Sequence, residues 1–299
     1  MNTEIKRKLR YNQQSSIDYR WTPEWFKAYD FDEMLIDNII IFQKESGLDP
    51  DGLVGEITFR RIWTERQSSE SFMHINSDKN SKAIICDGQR IPIKWKKVVT
   101  YLDEPTLLPN HSSFRIHKER RNPSIFVNHW DATLSSNYCA RILEDRDLSV
   151  HFMIDNDGTI LQSLDTNHIA YHAGNFNSES IGVEISNAYY PKYQDWYIKN
   201  GFGERPILEG VSVHGKPLEP FMGFYPAQLQ ALSALWAAIN LAYNIPLEIP
   251  VINHGVDPMV KDKKFTGFCA HYHLTSNKID IAGVNLQSIK YDALDIIKG

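Results

Sequence analysis

The sequence predicts an α/β domain preceded by a small all-α unit, and three observations carry that reading. First, Leu148 to Asn187 holds short apolar runs of strand length around turn residues: Val150 to Ile154, the turn Asp155-Asn156-Asp157-Gly158, Thr159 to Leu161, and then Ile181 to Ser186. Second, segments of helical period bracket these strands, one over Leu134 to Asp145 and one over Ala227 to Tyr243. Third, the first 66 residues carry helical periodicity and no strand signal. A length of 299 residues exceeds one comfortable core, so two units are expected.

Composition narrows the function classes. A hydrophobic fraction of 42% and a charged fraction of 23% are those of an ordinary globular protein. Net charge is −5, and Lys and Arg are scattered, which gives a nucleic-acid partner no electrostatic support. No apolar run reaches the length of a membrane span, so membrane insertion is not expected. The start MNTEIKRKLRYNQQ lacks the apolar segment of a secretory signal. Three cysteines, Cys86, Cys139 and Cys269, are far apart and odd in number, which argues against a disulfide framework and for synthesis in a reducing cytoplasm.

In chain order, a polar lead-in with Trp21 and Trp25 precedes a helix predicted over Phe31 to Ser46, with Met34, Leu35, Asn38, Ile39 and Phe42 at helical spacing and Gly47 as its stop. The loop Asp49 to Gly55 then leads to a helix from Glu56 to about Trp63. An unrelated helical hairpin would explain the Asp-Gly turn alone. The run FQKESGLDPDGLVGEIT, however, resembles the small helical peptidoglycan-binding domain at Phe42, Gln43, Gly47, Leu48, Asp51, Gly52, Gly55 and Thr58. The resemblance implies a wall-binding unit over residues 1–66. Residues 67–82, rich in Ser, Asn and Lys, read as a linker to a unit over 83–299.

That second unit opens with a hairpin over Ala83 to Ile93, turned at Asp87-Gly88, and a short strand over Val98 to Leu102. The basic run His117 to Arg121 reads as a solvated loop. Ser124 to His129 is a strand with Ile125, Val127 and His129 on one side. A lone histidine at a strand end is more often structural than ligating, so His129 acquires a role only from partners later in the chain. In Ile181 to Ser186 the apolar residues share one face, which sets Glu184 on the other with Gly182 and Ser186. A solvated sheet face would also explain that carboxylate. Between hairpin and strand, Ile169 to Asn175 is an aromatic-His-small-Gly-polar loop suited to holding a polar ligand near the backbone. Residues 188–225 lack periodicity but are rich in aromatics, and read equally as a functional insertion or a peripheral aromatic subcore. The helix over Ala227 to Tyr243 starts at Pro226 and carries Leu229, Leu232, Trp236 and Ile239 on one stripe.

The ordered motifs HFMIDNDGTI, IAYHAGNFN and SIGVEISN resemble the core of the zinc-dependent N-acetylmuramoyl-L-alanine amidases, the type-2 amidase family that includes AmpD-type enzymes, phage amidase lysozymes and peptidoglycan recognition proteins. This resemblance implies a mixed central sheet flanked by helices. It implies a Zn2+ site at His129, His271 and Asp280, catalytic Glu184 and Lys278, and bacterial peptidoglycan as substrate, with His172 and Asn175 as substrate contacts. Two departures stand in GFCAHYHLTSNKIDIAG: Ala270 replaces a glycine before the histidine, and Asp-Pro-Gly becomes Asp280-Ile281-Ala282-Gly283. His273 and His254 remain rival ligands, and Cys269 a lesser one because no second thiol accompanies it. Two imidazoles and a carboxylate suit a catalytic zinc with one position open to water. The expected reaction is hydrolysis of the bond between N-acetylmuramic acid and L-alanine, with an endolysin-like role at the cell wall after release. The alternatives are a non-catalytic recognition protein and a cytoplasmic muropeptide-recycling amidase. The oligomeric state stays open.

Overall fold

The computed structural model describes residues 3–69 and 80–299, which divide into two compact units, Met1–Ser71 and Phe72–Gly299. The expected linker starts inside a helix, since helical structure runs to Ser68, and its residues 70–79 lie outside the described residues.

The first unit is three helices: α1 (Thr3–Tyr19), α2 (Glu33–Glu45) and α3 (Glu56–Ser68). Helix α2 is capped by Asp32, whose carboxylate accepts from the Leu35 amide at 3.0 Å. Gly47 follows its end at φ +68, the left-handed conformation that closes a helix most cheaply with glycine. The buried face of α2 is Leu35, Ile36, Ile39 and Gln43, while Met34 is exposed, so the expected stripe is rotated by part of a turn. Helix α1 replaces the expected polar lead-in. Its inward residues are Leu9, Asn12 and Ser15, so it offers no apolar stripe to read. Asn12 instead clamps the turn between α2 and α3, donating to Gly52 O at 3.0 Å and accepting from Val54 N at 2.9 Å.

Gln43, buried in the same turn, donates to Asp51 Oδ1, Leu53 O and Thr58 Oγ1 at 2.9–3.1 Å and accepts from Gly52 N at 2.8 Å. Four of the positions that carry the resemblance in this unit therefore build the loop from inside. A buried amide with every polar atom satisfied fixes one loop geometry, because any alternative leaves donors unpaired.

The second unit contains β1 (Ala83–Cys86), β2 (Gln89–Pro92), β3 (Val98–Thr100), β4 (Phe114–Arg115), β5 (Ile125–Trp130), α4 (Ser136–Asp145), β6 (Phe152–Ile154), β7 (Ile160–Gln162), β8 (Ile169–Ala170) and β9 (Ser180–Ile185). It continues through α5 (Gln194–Lys199), β10 (Ile207–Leu208), β11 (Ser212–Val213), β12 (Lys216–Pro217), β13 (Phe221–Met222), α6 (Pro226–Tyr243), α7 (Pro258–Lys261), β14 (Gly267–Ala270) and α8 (Leu286–Lys298). Six strands form the central sheet in the order β14-β5-β9-β6-β7-β3. All its pairs are parallel except the β6–β7 hairpin, so the sheet is mixed as expected.

One sheet face is a continuous apolar surface, with Phe126, Phe152, Ile154, Ile181, Val183, Ile185 and Phe268 packed under α6 and α8. Trp236 of α6 stacks on Phe268 at 4.5 Å and donates its indole N–H to the buried Asn128 at 3.0 Å. Burying side chains of this size contributes about 1.5–3 kcal/mol each. The opposite face is divided: Met153 and Leu161 pack with Cys139 of α4 at one end, and Ile125, Val127 and Cys269 with Phe176 and Val260 at the other.

The segment 188–225 is ordered around a buried arginine. Arg205 lies 4.3 Å from the rings of both Tyr197 and Tyr225 and donates to Gly223 O at 2.9 Å and Ser186 O at 2.9 Å. Tyr189 stacks on Phe221 at 5.1 Å. The aromatics of this segment thus form a subcore. The basic run also departs from expectation, because Arg121 is buried and donates to Ser180 O at 2.6 Å.

Candidate metal and catalytic site

Strand register sets the site. Residues opposed on adjacent parallel strands point to the same face, and His129 of β5 stands opposite Glu184 of β9. Ala270, the last residue of β14, opposes Asn128, and His271 follows it in the 3-10 turn His271–His273, beside His129 near the end of β5. His129 and Glu184 thus stand side by side on neighbouring strands, about 4.8 Å apart along the sheet, with His271 next to His129 just past the end of β14. Strand parity puts His129 and Glu184 on the divided face, away from α6.

Asp280 reaches these residues from the loop after β14, which is tied back by the Tyr272 amide donating to Asp280 O at 3.0 Å. Its Oδ2 lies 3.1 Å from His129 Nδ1 and 2.9 Å from His271 Nδ1, and the two Nδ1 atoms are 2.9 Å apart. Three acceptor-capable atoms facing one another cannot all be satisfied by one shared proton. A cation at their centre would satisfy all three. Metal bonds of about 2.0–2.1 Å at tetrahedral angles put such donors about 3.3 Å apart, within a few tenths of an ångström of what is observed. Among the described residues His129, His271 and Asp280 are the group of this kind.

The electrostatics agree with that use. Burial, followed by the neighbouring His271, pushes His129 down to about 4 against the pull of Asp280, so its ring is neutral and able to ligate at pH 7. Burial pushes Asp280 up, but the His271 charge and the hydrogen bonds from His129 and His271 outweigh it and hold the carboxyl well below the usual range.

The other face of His129 is equally defined. Its Nε2 is 3.0 Å from His172 Nδ1, and His172 Nε2 is 3.1 Å from Ser180 Oγ. With Nδ1 of His129 facing a cation, Nε2 carries the proton and donates to His172, which fixes tautomer and ring orientation. Both ring nitrogens of His172, expected as a substrate contact, are engaged inside the protein. Burial holds it neutral, well below the ordinary histidine range. Gly182 makes room for this ring, since a Cβ there would lie 2.5 Å from His172 Cε1 and Nδ1. Asn177 holds the loop from the other side, its Oδ1 accepting from the amides of His172 at 3.1 Å and Ala173 at 2.7 Å. Asn175 is exposed, and its carbonyl accepts from Lys263 Nζ at 2.7 Å.

Lys278 lies two residues before Asp280, close enough for its charge to disfavour protonation of His129. Its carbonyl accepts from His214 Nε2 at 2.8 Å. The rival ligands point elsewhere. His273 uses Nδ1 to accept from the Ala270 amide at 2.9 Å and Nε2 to donate to Ile252 O at 2.8 Å. His254 packs edge-on against Tyr272 with ring centroids 5.6 Å apart. Cys269 is fully buried, and burial drives its thiol far above the ordinary value, so it offers no thiolate.

Asn177 and His214 are contacts around the site that sequence reading missed. Gly182, paired with Val127 of β5 and pressed by the His172 ring, was the available signal for His172. Nothing in the local sequence marks His214.

No helix among the described residues is long and apolar enough to cross a membrane. Residues 119–266 match the sequence profile of the family described as N-acetylmuramoyl-L-alanine amidase. That span includes His129, His172 and Glu184, while His271, Lys278 and Asp280 lie beyond it. No curated protein sequence matches the chain. Among solved structures, the chain is similar to the N-acetylmuramoyl-L-alanine amidase LysC from Clostridium intestinale URNW at 17% identity and a TM-score of 0.37, covering 66% of this chain and 97% of that one. The Ph2119 endolysin from the Thermus scotoductus MAT2119 bacteriophage Ph2119 gives 13% identity and 0.38, with 66% and 98% covered. The Staphylococcus aureus hydrolase AmiA gives 13% identity and 0.39, with 69% and 83% covered. These likenesses are partial, and the assignment rests on the sequence match: the second unit of this chain carries a domain of the N-acetylmuramoyl-L-alanine amidase family.

Proposed function

We propose that the protein is a zinc-dependent peptidoglycan hydrolase that cleaves the amide between N-acetylmuramic acid and the L-alanine of the stem peptide. The observation that carries this reading is the convergence of His129, His271 and Asp280, with Glu184 on the adjacent strand at the same register level. Two imidazoles and one carboxylate suit zinc and leave a fourth position open. Bound there, zinc would polarise the scissile carbonyl and lower the pKa of a coordinated water to about 7.

The chain's own residues supply the remainder. Glu184 takes the proton of the attacking water and delivers it to the leaving amine, a transfer typically worth 10²–10⁴-fold in rate. Lys278 places a positive charge where the carbonyl oxygen becomes an oxyanion. His172 holds the His129 ring in the orientation that presents Nδ1. Residues 1–66, by their resemblance to a peptidoglycan-binding domain, anchor the enzyme to the wall polymer and raise the local concentration of the catalytic unit. A polymer anchor favours a lytic enzyme of the endolysin kind over one that acts on soluble muropeptides.

The test is mass spectrometry of digested sacculi together with metal analysis. Lactyl-terminated glycan and free L-alanine amino termini are expected, along with one zinc per chain. His271→Ala should lose the metal and His273→Ala should keep it. Products cut at a glycosidic or interpeptide bond, or the opposite pattern of zinc retention, would refute the assignment.

A further inference from the structure

The insertion 188–225 touches the loop that carries Lys278 and Asp280 at both of its ends. The β11–β12 hairpin pairs Val213 with Lys216, leaving a two-residue turn, His214-Gly215, with φ of +53 and +72. Such turns favour Asn-Gly, because asparagine tolerates the left-handed conformation better than most side chains. Histidine is also among the residues that tolerate this conformation, so the turn leaves its ring available for another use. The ring has one: Nε2 is 2.8 Å from Lys278 O, a carbonyl that can only accept, so Nε2 carries the proton. The His214 backbone amide donates in turn to His254 O at 2.8 Å, anchoring the hairpin tip to the loop before α7.

At the other end of the ligand loop, Gly283 takes φ +82, and a Cβ there would lie 2.3 Å from Leu208 Cδ1 of β10 and 3.3 Å from Phe221 Cζ of β13. Phe221 and Val213 share one buried cluster with Ile281, Ala282 and Val284. Two separate parts of the insertion thus hold residues 278 and 283, and Asp280 lies between them.

We infer that the insertion is a brace for the ligand loop and that His214 is a positioning residue, which fixes the backbone from which Lys278 and Asp280 project. This rests on the reading of Asp280 as a metal ligand and Lys278 as a catalytic group. The insertion's aromatic subcore around Arg205 makes the brace stiff, and the hairpin carries that stiffness to a loop with little secondary structure of its own.

The test uses the full chain with His214→Asn and His214→Gln. Asparagine improves the turn but is too short to reach Lys278 O, whereas glutamine keeps a donor at nearly the same reach. Amide hydrogen exchange over residues 275–283 is expected to quicken by about three- to tenfold in His214→Asn, as for loss of one hydrogen bond. Zinc affinity, measured against a competing chelator, should fall by a similar factor, and kcat should fall with KM little changed. His214→Gln should recover most of each loss. Wild-type exchange over 275–283, or wild-type zinc affinity, in a folded His214→Asn protein would overturn the brace, because a mere turn residue predicts unchanged or improved behaviour. Exchange and zinc affinity need no substrate. A parent protein that binds zinc but does not cut the muramoyl amide, with exchange and affinity still responding to His214, would therefore overturn the amidase reading and leave the brace standing.

Discussion

Replacing Gly182 by alanine tests the outer support of the metal site with the smallest possible change. The added methyl would start 2.5 Å from the His172 ring, whereas ordinary contact begins near 3.4 Å, so ring or strand must give by about 0.9 Å. β9 is held by parallel neighbours on both sides, so the ring is the part that moves. A displacement of that size breaks the 3.0 Å bond from His129 Nε2. Loss of a ligand's outer partner typically lowers metal affinity by about 10–100-fold, or about 1.4–2.7 kcal/mol. Overpacking alone should cost about 1–3 kcal/mol of stability. The assay is zinc competition with a chelator on four proteins: parent, Gly182→Ala, His172→Ala and the double variant. If the methyl acts through His172, Gly182→Ala should reduce affinity strongly in the parent and hardly at all once His172 is alanine. Additive losses, or a Gly182→Ala protein with parental zinc affinity, would refute the reasoning.

Three further outcomes follow from the same geometry. Glu184→Gln keeps shape and hydrogen-bonding reach but cannot take a proton, so zinc content and melting temperature should persist while turnover falls by about two to four orders of magnitude; near-parental release of L-alanine amino termini by folded, zinc-replete protein would exclude Glu184 as the base. Residues 1–66, expressed alone, should sediment with insoluble peptidoglycan, and their deletion should reduce activity on intact sacculi more than on soluble fragments; an isolated unit that stays in the supernatant removes the anchor role. His151 is buried with Nδ1 accepting from Gly182 N at 3.1 Å and Nε2 donating to His168 O at 3.1 Å, and burial, followed by the Arg121 charge, lowers it from 6.5 to about 3. A histidine depressed in this way gains its proton on unfolding, so its contribution to stability is complete above pH 6.5 and declines as pH falls towards 3, by at most about 1.4 kcal/mol per pH unit; His151→Gln should make the acid limb of a denaturation series shallower by about one proton, and an unchanged slope would count against it.

Much of the candidate site was legible because strands have a strict side-chain period. Ile181, Val183 and Ile185 had to face a core, which fixed the side of Glu184, and the same parity put His129 on the side of Val127 and Ile125. The β6–β7 hairpin was legible from Asp155 to Gly158, and α6 from Pro226 and its apolar stripe. Other elements were not, and each for an identifiable reason. Helix α1 buries Asn12 and Ser15 rather than an apolar stripe, so the signal that marks a helix is absent from it. Arg121 sits in a run of charges that looks solvated, yet its guanidinium is consumed by backbone carbonyls, a use that leaves no trace in composition. His172 reads as a ligand-loop residue from its neighbours, but the space made by Gly182 draws it inwards.

By itself, the sequence determined the strand and helix faces, the two-unit plan and the residue types that could ligate or catalyse, because those follow from periodicity and from the chemistry of the side chains. Among His254, His271 and His273 the resemblance favoured His271, while the residue pattern alone left the other two open. The tertiary structure separates them: His271 lies beside His129 and Asp280, while His273 turns to satisfy the backbone at Ala270 and Ile252. The insertion likewise gained its role only in three dimensions. Contacts between His214 and Lys278, 64 residues apart, depend on how two loops pack, and no local preference encodes that.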